Sequence, residues 1–182
     1  MSAIKRREAR EIVIGLLFES EFRADEGYEE IYASSVEERE IPEDPYIRNA
    51  YYGIFENQEI IDQRIGQNAH GWKTNRMTKL SRSILRLAVY EMLYSGHIAQ
   101  KGAINEAVEM AKIYGKKESS GFINSVLDKV MKNEERKDSI VTEAAKEAMA
   151  EAPIKEDEKV TMIIEREVTE EEAEAILAGK IQ

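Results

Sequence analysis

Apolar residues recur at the spacing of an α-helix over almost all of residues 1–133, and this pattern constrains the fold more than any other feature. The first stripe consists of Ala9, Ile12, Val13, Leu16 and Leu17. No alternation typical of a β-strand occurs before residue 133, and the three prolines of the chain lie outside the richest helical stretch. The sequence therefore predicts an all-α body of six or seven helices.

Start and stop signals divide this body into separate helices. The predicted spans are 3–24, 28–39, a helix that opens at Asp44-Pro45, 58–68, 77–94, 103–114 and a last core helix from Ser119 or Ser120. Aspartate followed by proline is typical of a helix cap and its first turn. Residues 77–94 carry the broadest apolar stripe, which predicts a central helix in contact with several others.

The composition changes after Asn133. Residues 134–182 hold 15 acidic and 7 basic residues, a net charge of −8 out of −10 for the whole chain, so residues 1–133 are nearly neutral. Large apolar residues become sparse, and Pro153 with the acidic run at 156–158 is typical of a linker. We therefore expect a domain over 1–133 and an acidic C-terminal extension over 134–182, marginally ordered or partly helical, with a short strand at 160–168.

Several functional classes lack their sequence signatures. There is no cysteine, so disulfides, thiolate metal sites and a cysteine nucleophile are excluded. His70 and His97 have no partner at metal-ligand spacing, and no glycine-rich phosphate loop, nucleophile elbow or HExxH motif occurs. We expect a non-enzyme without metal or cofactor. No signal peptide or membrane span is evident, which predicts a cytoplasmic protein.

Four cations crowd the start of the first predicted helix. They are Lys5, Arg6, Arg7 and Arg10. A helix N-terminus already carries partial positive charge, so cations there are unfavourable, and Glu8 and Glu11 offset only part of this. Two interpretations stay open: a solvated helix start with local ion pairs, or an outward ridge that binds a polyanion such as a phosphate backbone.

Two further places suit a nucleic-acid surface. Lys116 and Lys117 precede the last core helix, whose first amides near Ser119 and Ser120 form an anion site, although an ordinary helix connection explains them as well. Phe18 and Tyr114 suit stacking on unpaired bases, with core packing as the alternative. The polar pair Asn105-Glu106, on an otherwise apolar helix, is expected to form a helix-start hydrogen bond.

Three segments carry a resemblance to a known family. They are KRREAREIVIGLLFES at 5–20, GWKTNRMTKLSRSILRLAVYEML at 71–93 and KGAINEAVEMAKIYGKKESSGFINSVLDKV at 101–130. In this order they resemble the NusB family of transcription antitermination factors, over roughly residues 3–133. Departures are Glu8 within the arginine run, Phe18 where tyrosine is frequent, and Ser20 where some members have tryptophan.

The resemblance implies a fold of two packed helical subdomains. It also implies binding of a boxA-type element in nascent ribosomal RNA leaders, together with the ribosomal protein NusE, within an RNA polymerase antitermination complex, and no cofactor. A different class remains as the alternative, a helical protein-interaction adaptor that acts through its acidic tail. The sequence leaves homodimerisation open.

The resemblance also assigns surfaces. Together with Lys5 and Phe18, the RNA-binding residues would be Arg6, Arg7, Arg10, Lys117, Glu118, Ser119 and Phe122. The NusE-binding residues would be Ser81, Arg86, Tyr90 and Glu91. Arg86 and Tyr90 suit intramolecular contacts equally well. The negative charge of the extension is expected to compete with RNA for the arginine cluster.

Overall fold

The computed structural model describes residues 4–69, 77–96, 98–116 and 118–151, with side chains through residue 135. These residues form helices and turns, without a strand. The helices are α1 (Arg6–Ser20), α2 (Tyr28–Glu38), α3 (Pro45–Glu56), α4 (Gln58–Asn68), α5 (Lys79–Tyr94), α6 (Gln100–Tyr114) and α7 (Ser119–Glu151). Over the described residues, the all-α prediction is confirmed.

The fifth helix is the centre of the fold. It contacts α1, α3, α4 and α6, and 10 of its 16 residues are buried. Leu85 and Val89, which widen its apolar stripe, are fully buried. A single hydrophobic cluster draws on α1 and on α3 to α7. Because each large apolar side chain taken out of water contributes about 1.5–3 kcal/mol, this shared core fixes the mutual placement of the helices.

Side-chain caps set two of the helix starts. Asp44 accepts a hydrogen bond from the Tyr46 amide at 2.8 Å, which confirms the predicted cap of α3. Thr78 accepts one from the Ser81 amide at 3.1 Å, so α5 begins directly after this threonine, two residues later than predicted. Such caps satisfy amides that have no partner within the helix.

Other helix bounds also differ from their predictions, among them the start of α1, which is Arg6 and not residue 3. Helix α1 ends at Ser20 rather than at residue 24, because the Phe22 amide bonds to the Glu19 carbonyl at 2.9 Å and tightens the chain into a turn. Helix α6 begins at Gln100, three residues before the predicted start. The expected helix-start role of Asn105-Glu106 is therefore wrong, since both residues lie in the second turn of α6. Glu106 instead faces an arginine of α1.

The chain divides into a unit over 1–135 and a second unit over 136–182. Helix α7 continues past Asn133 and ends at Glu151, so the weak helical spacing of residues 134–151 is sufficient for a helix. At the end of the first unit, the Asn133 side chain donates to Asn68 at 2.7 Å, and Arg64 pairs with Glu134 at 3.0 Å.

Some predictions fall on residues that the structure does not describe. The break at residues 70–71, the strand at 160–168 and the position of Lys117 lie outside the described residues. Within the part of the chain that is described, no helix is both long and apolar enough to span a bilayer.

Candidate nucleic-acid interface

Three cations face solvent at the start of α1. Lys5 is the N-cap residue, Arg6 and Arg7 are the first two residues of the helix, and all three are exposed. The Lys5 side chain forms no capping hydrogen bond. Positive side chains therefore add to the partial positive charge of the helix N-terminus, as the outward-ridge interpretation requires.

The fourth cation of the cluster points inward. Arg10 is only 9% exposed, and its Nε donates to the two carboxylate oxygens of Glu91 at 2.9 and 3.2 Å. Its Nη1 lies 3.6 Å from Oε2 of Glu106. Helical spacing explains this placement, because Arg10 shares a face of α1 with the buried Val13 and Leu17. The expectation that Arg10 belongs to the outward ridge is therefore wrong for this structure.

The carboxylate that holds Arg10 is also held by a tyrosine. The Tyr46 hydroxyl donates to Oε1 of Glu91 at 2.6 Å. Burial raises the pKa of Tyr46 above its ordinary value, and the charge of Glu91 and the hydrogen bond to it raise it further. Because Glu91 is 1% exposed, its assignment to a partner-binding surface is also wrong here. This network joins α1, α3 and α5.

Two more residues of the predicted partner surface are used inside the chain. Arg86 is buried and pairs with Asp62 at 2.7 Å and Glu21 at 2.8 Å. Burial lowers the pKa of Arg86, but the hydrogen bond and charge of Asp62, together with Glu21, outweigh burial and raise it. Ser81 is 5% exposed and belongs to the α5 cap through Thr78. Neither side chain is available to a partner in this conformation.

Tyr90 is the member of that set that reaches the surface. Its ring stacks on Tyr94 with centroids 5.6 Å apart, and Tyr94 is 41% exposed. The Tyr90 hydroxyl donates to the Asn49 carbonyl at 3.2 Å, and its ring lies against Gly53, where a Cβ atom would come within 2.6 Å of it. Sequence reasoning missed Tyr94, although its spacing of four residues from Tyr90 is a signal for a shared face.

An aromatic pair lies at the other end of α1. Phe18 is 37% exposed and Phe22 is 64% exposed, and their rings meet edge to face with centroids 5.0 Å apart. The Lys79 ammonium lies 3.8 Å from the centroid of Phe22 and donates to the Glu21 carbonyl at 2.6 Å. Exposed rings beside a cation suit stacking with nucleobases. Sequence analysis identified Phe18 but missed Phe22.

The start of α7 matches its prediction only in part. Glu118 is exposed and Ser119 begins the helix, but Phe122 is 8% exposed and belongs to the hydrophobic core. Its place in the apolar stripe of α7 accounts for this burial. A direct contact between the Phe122 ring and RNA is therefore not available here. Tyr114, at the end of α6, is 52% exposed.

Several exposed groups are each suited to contact anions or unstacked bases. Guanidinium groups donate paired hydrogen bonds to phosphate oxygens, and the rings offer stacking faces. Among the residues with described positions, no group of three or more histidine, aspartate or glutamate side chains could hold a metal ion.

Known proteins share this sequence pattern. The model of the NusB family matches residues 7–132. Transcription antitermination protein NusB of Acetivibrio thermocellus is 43% identical over 129 residues, which cover 70% of this chain and 88% of that protein.

Solved structures share the fold. The structure of T. maritima NusB matches with a TM-score of 0.64 and 36% identity, covering 72% of this chain and 93% of that one. A structure of antitermination factors NusB and NusE in complex with dsRNA matches with a TM-score of 0.62, over 70% of this chain and 96% of that one. At 24% identity, the second match is evidence for the fold alone. The family match and the helical architecture agree, and the chain belongs to the NusB family.

Proposed function

We propose that this chain is a cytoplasmic transcription antitermination factor that binds boxA-type RNA of ribosomal RNA leaders together with the ribosomal protein NusE. It acts by binding and not by catalysis. Membership of the NusB family supports the proposal, as do relatives that are named antitermination proteins. The observation that carries it is the exposed set of Lys5, Arg6 and Arg7 at the positive end of α1.

The phosphate backbone supplies most of the affinity in this proposal. Cations that neutralise phosphates release the counterions condensed on the RNA, so affinity falls as salt rises. For a single strand, the slope of log affinity against log salt is about −0.7 for each contacted phosphate. Although the whole chain carries a net charge of −10, a local cationic cluster still attracts RNA within a Debye length of about 10 Å.

Sequence preference would come from bases rather than phosphates. Phe18 presents an exposed ring on the same helix as the cationic cluster, and Phe22 presents another in the turn that follows this helix. An RNA strand bound along α1 would place phosphates at the helix start and unstacked bases on these rings. Glu118 and Ser119 at the start of α7 remain candidates for polar contacts, and Lys117 remains one from the sequence alone.

The protein partner would meet the Tyr90 and Tyr94 pair. Exposed tyrosines are favoured at protein interfaces because each combines a large apolar face with a hydroxyl group. Among the four residues assigned to NusE by resemblance, Tyr90 is the one for which the structure supports a direct role. NusE would raise RNA affinity by extending the surface and would link the pair to the RNA polymerase complex.

We also propose that residues 1–133 form the RNA-binding domain and residues 134–182 a separate acidic extension. The family model ends at residue 132. The Acetivibrio thermocellus relative is covered over 88% of its length by only 129 aligned residues. The extension therefore adds to what the family shares, and its net charge of −8 disfavours a role in direct phosphate binding.

A binding titration tests this function directly. A fluorescent boxA-type single-stranded RNA is titrated with the full chain at several salt concentrations, with and without NusE. A scrambled RNA and a double-stranded form of the same sequence serve as controls. We expect the boxA-type strand to bind more tightly than the scrambled strand, with affinity that falls with salt and rises with NusE. Equal affinity for the boxA-type and scrambled strands, unchanged by NusE, would refute the proposal.

A further inference from the structure

One exposed arginine of the cationic cluster rests on an aromatic ring. The guanidinium carbon of Arg6 lies 4.2 Å from the centroid of the Tyr46 ring. Arg6 begins α1 and Tyr46 lies in the first turn of α3, so this contact joins two helix starts that are 40 residues apart in sequence. At that distance a guanidinium is attracted to the face of an aromatic ring.

Tyr46 is held both at its backbone amide and at its hydroxyl group. Its amide donates to the Asp44 side chain at 2.8 Å, which fixes the backbone at the start of α3. Its hydroxyl donates to the buried Glu91 at 2.6 Å, and Arg10 in turn holds that carboxylate at 2.9 Å. An ion pair of α1 and α5 therefore anchors the ring that supports Arg6. A side chain fixed in this way is a firm platform rather than a mobile neighbour.

This platform has a consequence for the cation above it. A long arginine side chain at an exposed helix start loses conformational freedom when it binds a phosphate, and a guanidinium that is already ordered loses less. A face-on contact with a ring engages the flat surface of the guanidinium and leaves its N–H edges free to donate to phosphate oxygens. A lysine ammonium has no such flat surface.

The neighbouring arginine has different surroundings. Arg7 is also exposed, and its charge acts on a carboxylate of α6. The pKa of Glu109 in α6 is lowered by a hydrogen bond from Lys112 and, to a smaller extent, by the charge of Arg7. Arg7 therefore serves as an internal comparison, because it carries the same charge as Arg6 and its charge acts on Glu109 of α6.

We propose that Tyr46 is a positioning residue of the RNA interface, which holds the Arg6 guanidinium ready for a phosphate through a ring contact anchored on Glu91 and Arg10. The proposal rests on the RNA-binding function proposed above. It extends the interface to a residue of α3 that need not touch the RNA itself. It also gives the buried Arg10 a part in RNA binding that acts through Tyr46 and Arg6.

A double-mutant cycle on the full-length chain tests this coupling. The variants are Tyr46→Leu, Arg6→Ala and their combination, each titrated with the fluorescent boxA-type single-stranded RNA. We expect Tyr46→Leu to weaken binding about 2- to 5-fold when Arg6 is present. In the Arg6→Ala background the same change should have no effect. A purely structural role for Tyr46 would weaken binding equally in both backgrounds, and that result would overturn the proposal.

Two milder variants keep the test decisive if Tyr46→Leu folds poorly. Tyr46→Phe retains the ring and loses the anchor on Glu91, and Arg6→Lys retains the charge and loses the flat guanidinium. We expect Arg6→Lys to weaken binding with a salt slope close to that of the parent, and Tyr46→Phe to make the Arg6→Lys penalty smaller. Parental affinity of Arg6→Lys would contradict the inference.

The cycle also separates this inference from the function on which it rests. A cycle between Tyr46→Leu and Arg7→Ala should be additive, since these residues have different neighbours. Specific binding of the parent together with an additive Arg6 cycle would overturn the positioning role alone. Failure of the parent chain to distinguish the boxA-type RNA from the scrambled strand would overturn both proposals.

Discussion

Arg10 Nε donates to Glu91 Oε1 at 2.9 Å, and this buried pair joins the first helix to the central one. The family resemblance implies a different outward surface for each residue, RNA for Arg10 and a protein partner for Glu91. The structure places both inside the chain, 9% and 1% exposed. The pair therefore lies in the interior behind the interface, where it stabilises the fold, and does not form part of the contact surface.

This relationship predicts that Arg10 is required for stability. Arg10→Ala leaves the Glu91 carboxylate buried without its cation, which typically costs about 3–5 kcal/mol. We expect the free energy of unfolding, measured by urea denaturation and far-UV circular dichroism, to fall by an amount in that range. The matched control is Arg7→Ala on the exposed side of the same helix, which should change it by less than about 0.5 kcal/mol. Equal stability of the two variants would show that the Arg10 pair is not structural.

The burial of Tyr51 leads us to expect a loss of stability at alkaline pH. The residue is fully buried. Its hydroxyl group lies 2.9 Å from Ser20 Oγ and donates to the Tyr28 carbonyl at 3.1 Å. Burial raises the pKa of Tyr51 from 10.0 to about 12, although the hydrogen bond with Ser20 lowers it somewhat. When the pH lies between these two pKa values, the phenol is deprotonated in the unfolded chain and protonated in the folded chain. Stability is therefore fully present below pH 10 and is lost as pH rises towards 12.

Tyr51→Phe isolates this contribution. The parent should lose about 1–3 kcal/mol of unfolding free energy to this group across the alkaline window. The variant should lack that part of the decline, although its stability at neutral pH will fall because the hydroxyl contacts are gone. Urea denaturation at a series of pH values measures the difference, with the exposed Tyr114→Phe as the control. Parallel pH profiles for Tyr51→Phe and the parent would contradict the prediction.

The packing of Gly53 predicts a selective effect on partner binding. A Cβ atom at Gly53 would lie 2.6 Å from the Tyr90 ring, so Gly53→Ala must displace that ring. We expect affinity for NusE to fall several-fold, measured by isothermal titration calorimetry, while RNA binding by the chain alone is unchanged. Gly66→Ala is the matched control, because a Cβ there meets nothing within 4 Å. If both variants bound NusE equally well, the Tyr90 surface would not be the partner site.

Much of the fold follows from local sequence signals. The period of apolar residues identifies the helices, and the broad stripe of α5 identifies its central position. Helix caps can also be recognised from the sequence, as at Asp44. Helix ends are harder to predict where the terminating contact is a backbone turn, as at Phe22, since such a turn carries no side-chain signature.

The candidate site was only partly predictable. Sequence places Arg6, Arg7 and Arg10 in one cluster, but the side of the helix on which each lies depends on what packs against it. Arg10 shares a face with core residues, and its carboxylate partner lies 81 residues away in sequence. The contact between Arg6 and Tyr46 likewise requires α1 and α3 to be adjacent, and no local pattern indicates that adjacency.

The salt dependence of RNA binding tests the central claim most directly. That claim is that the outward cations of α1 hold RNA phosphates. The double variant Arg6→Ala/Arg7→Ala is compared with Lys129→Ala/Lys132→Ala, which removes two exposed positive charges from α7 and changes the net charge equally. We predict that the first variant flattens the log affinity–log salt slope by about 1.4, as for two lost phosphate contacts, and that the second leaves the slope unchanged. Equal slopes for the two variants would contradict the account.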